Sequence, residues 1–222
     1  MNILRQIPVV AALAAASVAH AGAVVDLAPS EFVSGLSGIN NHEMSELIGS
    51  SISDKYINFS IYGTGEGVSP LYEGTLMTRV VRSHMTGNLT FNYRVMNANP
   101  ELDGRISHIE VGGFSGWETR VEYRDDAIST GNEGPMDAMR YAHGDILDFS
   151  FSGGLDTWAE SHYFFAMTDT DTFYADSTLA TIYLESGESV SLVVDSANPA
   201  VPAPGSLALL GGAGLLCSRR RR

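Results

Sequence analysis

The chain reads as an all-β protein, an antiparallel β-sandwich of the jelly-roll or Ig-like kind. Three observations carry that reading. Apolar and polar residues alternate at a period of two in one segment after another. Gly, Asn, Asp and Pro break these segments at short intervals, as at Asn97–Gly104, Gly112-Gly113 and Gly153-Gly154. Between the two termini no stretch sustains helical spacing beyond about two turns, so the crossover helices that a parallel sheet requires are missing.

The first element is not part of the sandwich. Met1 to Arg5 is short and positive at Arg5, and Ile7 to Val18 is apolar and rich in alanine. Ala19-His20-Ala21 then supplies small residues at Ala19 and Ala21, where a signal peptidase needs them. Residues 1–21 are therefore expected to be a cleaved secretory signal helix, with the mature chain starting at Gly22. Residues 22–51 are small and polar, and read as an N-terminal arm with one helical hint at His42–Ile48.

The sandwich is expected over residues 52–195. Ile57, Phe59 and Ile61 alternate with Asn58 and Ser60, and Leu89, Phe91, Tyr93 and Val95 alternate with Thr90, Asn92 and Arg94. Trp117, Thr119, Val121 and Tyr123 alternate with Glu118, Arg120 and Glu122. The pattern predicts further strands at Leu76–Arg82, Ile106–Val111, Ile146–Phe151, His162–Met167, Leu179–Leu184 and Val190–Val194. Met136–Ala142 has spacing that suits one short helix. Phe91, Tyr93, Val95, Phe149, Phe165 and Leu192 are expected to face the interior. No repeat of fixed period appears, which argues against propellers and solenoids.

After a linker at 196–201, residues 202–222 stack three elements in a fixed order. Val201-Pro202-Ala203-Pro204-Gly205 is a turn in which Pro202 and Pro204 fix φ and remove backbone donors, leaving an extended junction open to a protease. Leu207 to Leu216 carries no charge, and Arg219, Arg220, Arg221 and Arg222 favour the cytoplasmic side. As a helix the apolar run spans about 15 Å, half of a ~30 Å hydrocarbon core, which suits a temporary anchor.

This tail resembles the PEP-CTERM class of exported bacterial proteins, whose C-terminal signals are processed by membrane proteases called exosortases. The resemblance rests on Val201 to Gly211 and the four arginines, about a tenth of the chain. It departs from the family at Ala203, where Pro-Glu-Pro has its glutamate. The resemblance implies export through the inner membrane of a Gram-negative bacterium and transient anchoring by the C-terminal apolar helix. It further implies cleavage by an exosortase-type protease and residence in the cell envelope or outside the cell, with extracellular polysaccharide as a possible partner.

Charge narrows the partners. Removing Arg5 and the four terminal arginines leaves 8 basic against 26 acidic residues in 22–201, a net charge of −18. Such a polyanion repels nucleic acid and anionic lipid. The one cysteine, Cys217, lies in the tail, so no disulfide staples the mature segment.

Motifs that carry chemistry are scarce. The sequence has no Gly-x-Ser-x-Gly elbow, no His-Glu-x-x-His, no Walker loop and no GxGxxG. His42, His84, His108, His143 and His162 show no ligand-type spacing, and His108 and His162 read as strand residues. Glu118 and Glu122 read as a solvated strand face. The cation candidate is Asp169, Asp171 and Asp176, whose loop could offer oxygen ligands to Ca²⁺; an acidic turn explains it more simply. No cofactor or other metal is expected. Trp117, Trp158, Tyr163 and Tyr174 could stack on sugar rings; Trp117 and Tyr163 read as core, and Trp158 as the exposed one. The expected function is that of an exported, non-enzymatic cell-surface or matrix protein associated with exopolysaccharide or biofilm. The alternative is a secreted carbohydrate-binding or carbohydrate-active hydrolytic protein.

Overall fold

Strand pairing divides the chain between two sheets. The computed structural model describes residues 16–18, 23–64, 69–126 and 131–198, giving only the backbone course for 16–18. The six-stranded sheet runs β2 (Val25–Asp26), β8 (Thr119–Tyr123), β11 (Phe164–Thr168), β6 (Leu89–Met96), β5 (Pro70–Ser83), β4 (Gly49–Tyr62). The seven-stranded sheet runs β1 (Ala16–Val18), β3 (Phe32–Ser34), β9 (Asp137–Arg140), β10 (Leu147–Asp156), β7 (Arg105–Val111), β12 (Tyr174–Leu184), β13 (Ser189–Ser196). Both sheets are antiparallel except where β1 runs parallel to β3. Of the expected signal helix, Ala16–Val18 forms strand β1 rather than helix, drawn into pairing with β3; the rest of it and its cleavage residues Ala19 and Ala21 lie outside the described residues. Residues 199–222, with the expected sorting tail, lie outside them too.

The two sheets share one apolar core. Phe149 and Phe151 of β10 meet Phe164 of β11 across it, with ring centroids 4.9 and 6.0 Å apart. Phe91, Tyr93, Val95, Phe149 and Leu192 lie in this core, as the alternation predicts. Phe165 is buried elsewhere. It pairs with Asn92 and Glu122, on the outer face of the six-stranded sheet, and packs with Ile39, Leu47 and Met167. Residues 36–47 cover this face, so β11 is apolar on both sides and its alternation carries no sidedness.

Three further sequence expectations change. Met136–Ala142 forms β9 rather than a helix, because it fills the gap between β3 and β10. Within His42–Ile48 only a single 3-10 turn forms, at Ser45–Leu47. Glu122 is fully buried, not solvated, and accepts hydrogen bonds from the Gly38, Ser37 and Tyr123 N–H groups. Burial pushes its carboxyl up, and those backbone donors pull part of the way back. The arm itself is knit into both sheets through β2 and β3.

One open side of the sandwich is clipped by charge. Lys55, on edge strand β4, reaches Asp195 of β13 at 2.5 Å and Asp176 of β12 at 2.6 Å. Asp195 also accepts from the Ser53 hydroxyl and the Asp176 N–H. Burial alone would raise the Asp195 carboxyl, but these donors hold it below the usual carboxylate value. An inward-reaching lysine also makes β4 a poor template for another strand.

Candidate functional site

The outer face of the seven-stranded sheet gathers the titratable groups. Cross-strand partners project to the same side of a sheet, so register defines its rows. One row runs Thr181, Glu110, Asp148, Met139, Phe32, and the next runs Tyr183, His108, Ser150, Asp137, Ser34. The centre of this face holds His108, Glu110 and Asp148, each half-buried, with one potential ligand atom per residue all within 4.8 Å of one another.

Local sequence explains the placement. His108-Ile109-Glu110 sends Ile109 into the core and the two polar side chains outward. Ser107 is an extra residue in β7, since Tyr183 pairs with His108 while the next residue, Leu184, pairs with Ile106. Such bulges re-aim side chains and favour functional edges and faces. Here the Ser107 hydroxyl lies 2.9 Å from His108 Nδ1 and 3.2 Å from the Tyr183 carbonyl.

Two tyrosines frame the cluster. Tyr141 and Tyr183 donate their hydroxyls to the two oxygens of Glu110 at 2.6 and 3.1 Å. The Tyr183 ring stacks on His108 with centroids 4.4 Å apart and planes 8° from parallel. Both phenols are pushed up: Tyr141 first by its hydrogen bond to Glu110, Tyr183 first by burial. Asp148 Oδ1 is shut off from solvent and has no hydrogen-bond partner.

Asp148 is pushed up to about 6, first by burial and then by the neighbouring Glu110, against the opposing pull of His108 and Ser150. A carboxyl whose folded value is raised contributes stability at low pH and loses it as pH rises through that value. The loss therefore falls between about pH 4 and 6. Asp148→Asn should remove it, stabilising the metal-free protein at pH 8 by about 1–2 kcal/mol, roughly 2–8 °C in melting temperature. At pH 4 the variant and the parent should melt together, as calorimetry in EDTA can check.

The other sequence candidates lie apart. Asp169 accepts the Glu118 N–H at 3.1 Å, Asp176 pairs with Lys55, and Asp171 belongs to neither contact. Among the described residues these three do not bring ligand atoms together; only His108, Glu110 and Asp148 do. Trp158 is 78% exposed. It follows Asp156, which pairs with Arg105 beside a cleft of about 430 Å³. Tyr163 is buried, its ring 5.6 Å from the guanidinium carbons of both Arg79 and Arg94. Trp117 is half-buried and donates its indole N–H to Asn198.

A second polar cleft brings His143, Asp145, Ser177 and Ser196 together. Their bonding is unlike a nucleophile and base. His143 Nδ1 accepts the Asp145 N–H, and the Ser177 and Ser196 hydroxyls donate to backbone carbonyls of Tyr174 and Asn198. No protein-family model matches the chain, and no curated protein or solved structure does either.

Proposed function

We propose that this is an exported, non-enzymatic protein of the cell envelope or extracellular matrix, delivered by its C-terminal sorting signal. The observation that carries the reading is the order of the Val201-Pro202-Ala203-Pro204-Gly205 turn, the apolar run Leu207 to Leu216 and the four terminal arginines, placed after the last described strand. β13 ends at Ser196, and Asn198 is latched by the Trp117 indole at 2.7 Å and the Ser115 carbonyl at 2.9 Å. That latch lies three residues before Val201, where the sorting pattern begins. The N-terminal signal pattern and the acidic mature segment support the same route. Strands alternate repeatedly between the sheets along the chain, which supports the jelly-roll kind of sandwich over the Ig-like kind.

Replacing Pro202 and Pro204 by alanine in cells that carry an exosortase tests the route. The variant should accumulate as a full-length membrane-bound precursor, while the parent is released with a new C-terminus near residue 202. Release of a parent protein that retains its arginine tail would contradict the proposal.

The exposure of Trp158 favours one refinement, polysaccharide binding at the end of the sandwich. Its ring face is available for stacking, and the Arg105–Asp156 pair offers hydrogen bonds beside it. A glycan array should show hits that Trp158→Ala loses; an array without such hits removes this refinement.

A further inference from the structure

We propose that His108, Glu110 and Asp148 form a binding site for one divalent transition-metal ion of the Zn²⁺ or Mn²⁺ kind, on the open face of the seven-stranded sheet. The donor set defines the class. One imidazole nitrogen with two carboxylate oxygens suits borderline Zn²⁺, and the two carboxylates also suit the harder Mn²⁺. Ca²⁺ seeks six to eight oxygens and gains little from a histidine. The spacing is within reach: ligand atoms around tetrahedral Zn²⁺ sit about 3.3 Å apart, and these already lie within 4.8 Å of one another.

A second observation points to a missing cation. Asp148 Oδ1 is inaccessible to solvent yet accepts no hydrogen bond. An acceptor stranded in this way costs free energy that a metal bond would recover. No Lys or Arg among the described residues pairs with Glu110 or Asp148. Two carboxylates held together without such a counter-charge destabilise the unloaded fold, and a divalent ion supplies the charge they lack.

The surroundings hold the ligands as metal sites require. Glu110 is fixed by two tyrosine hydroxyls, and His108 is clamped between the Tyr183 ring and Ser107. Ser107 has a single hydroxyl proton. When it is donated to the Tyr183 carbonyl, the oxygen must accept from His108 Nδ1–H. That tautomer leaves the Nε2 lone pair free for a metal. Both ligand-bearing strands, β7 and β10, are interior strands of the sheet, which favours precise geometry over a loop-borne site. Three protein ligands leave further positions for water or for an oxygen donor from outside.

The untagged full chain, stripped with EDTA and dialysed, should be titrated separately with ZnCl₂, MnCl₂ and CaCl₂ by calorimetry. The expected result is one Zn²⁺ or Mn²⁺ per chain, with weaker or no Ca²⁺ uptake. His108→Ala, Glu110→Gln and Asp148→Asn should each weaken binding at least about tenfold. Asp171→Asn, remote from the cluster, should leave it unchanged. Glu110→Gln and Asp148→Asn, close in shape to the parent residues and checked for folding by circular dichroism, keep the test decisive if His108→Ala unfolds. Uptake of neither transition ion, preference for Ca²⁺, or binding that His108→Ala and Asp148→Asn leave intact would overturn the proposal.

Discussion

Arg140→Ala should lower the melting temperature by about 8–16 °C, the largest effect expected of any single polar substitution in this domain. Arg140 sits on β9 with 3% of its surface exposed and no carboxylate bonded to it. Four of its five donors are used on backbone carbonyls. Nε reaches Gly144 at 2.9 Å, Nη1 reaches Leu27 at 3.0 Å, and Nη2 reaches Phe114 and Trp117 at 2.7 and 3.0 Å. These carbonyls belong to the segment after β2 and to the loops joining β7 to β8 and β9 to β10. One side chain therefore ties three otherwise irregular segments together. Burial pulls its guanidinium pKa down, and nearby Asp145 offsets part of that. Truncation strands several buried acceptors at about 1–3 kcal/mol each, and partial relaxation leaves a net loss of about 4 kcal/mol. Arg140→Lys can satisfy fewer carbonyls from one ammonium and should recover less than half. Thermal unfolding followed by circular dichroism measures both.

Phe164→Ala should cost about 3–5 kcal/mol in denaturant unfolding, because its ring is the keystone between the sheets. It is fully buried and touches Tyr93 on its own sheet, and Phe149 and Phe151 on the other, with centroids 5.7, 4.9 and 6.0 Å away. No single neighbour can collapse into the space without leaving its own partners. Phe164→Leu keeps most of the volume and should lose under half as much. Phe165→Ala should cost less, since its cluster of Ile39, Leu47 and Met167 is smaller and lies under a loop that can settle.

Period-two alternation located most strands because a strand with one apolar face must alternate. Leu89 to Val95 is the clearest case: its apolar members all face the core, while Thr90, Asn92 and Arg94 are buried on the other face. The same rule failed in β11, where both faces are apolar. Phe165 looked like an interior residue, yet burial under residues 36–47 is a tertiary event that no local pattern encodes. Met136–Ala142 was too short for its pattern to separate helix from strand, and pairing with β3 and β10 decided the matter. Glu122 read as solvated because its buried partners, the Ser37 and Gly38 N–H groups, lie more than eighty residues away.

The candidate site was half legible. His108-Ile109-Glu110 on a strand places its outer residues on one face, a signal available from sequence. Asp148 joins them only because β10 pairs with β7 in one particular register, aligning Asp148 with Glu110. Tyr141 and Tyr183 arrive from two further strands or turns. Acidic residues close in sequence drew notice at Asp169, Asp171 and Asp176, whereas ligand atoms close in space came from residues forty apart.

On the function proposed above, the β domain folds without residues 202–222, which serve only for delivery. Deleting Pro202–Arg222 and comparing the truncated and full-length chains after cell fractionation tests it most directly. The truncated protein should leave the membrane fraction as soluble exported protein, with a melting temperature equal to that of the parent domain within error. A truncated chain that fails to fold, or one that stays in the membrane fraction, would contradict it.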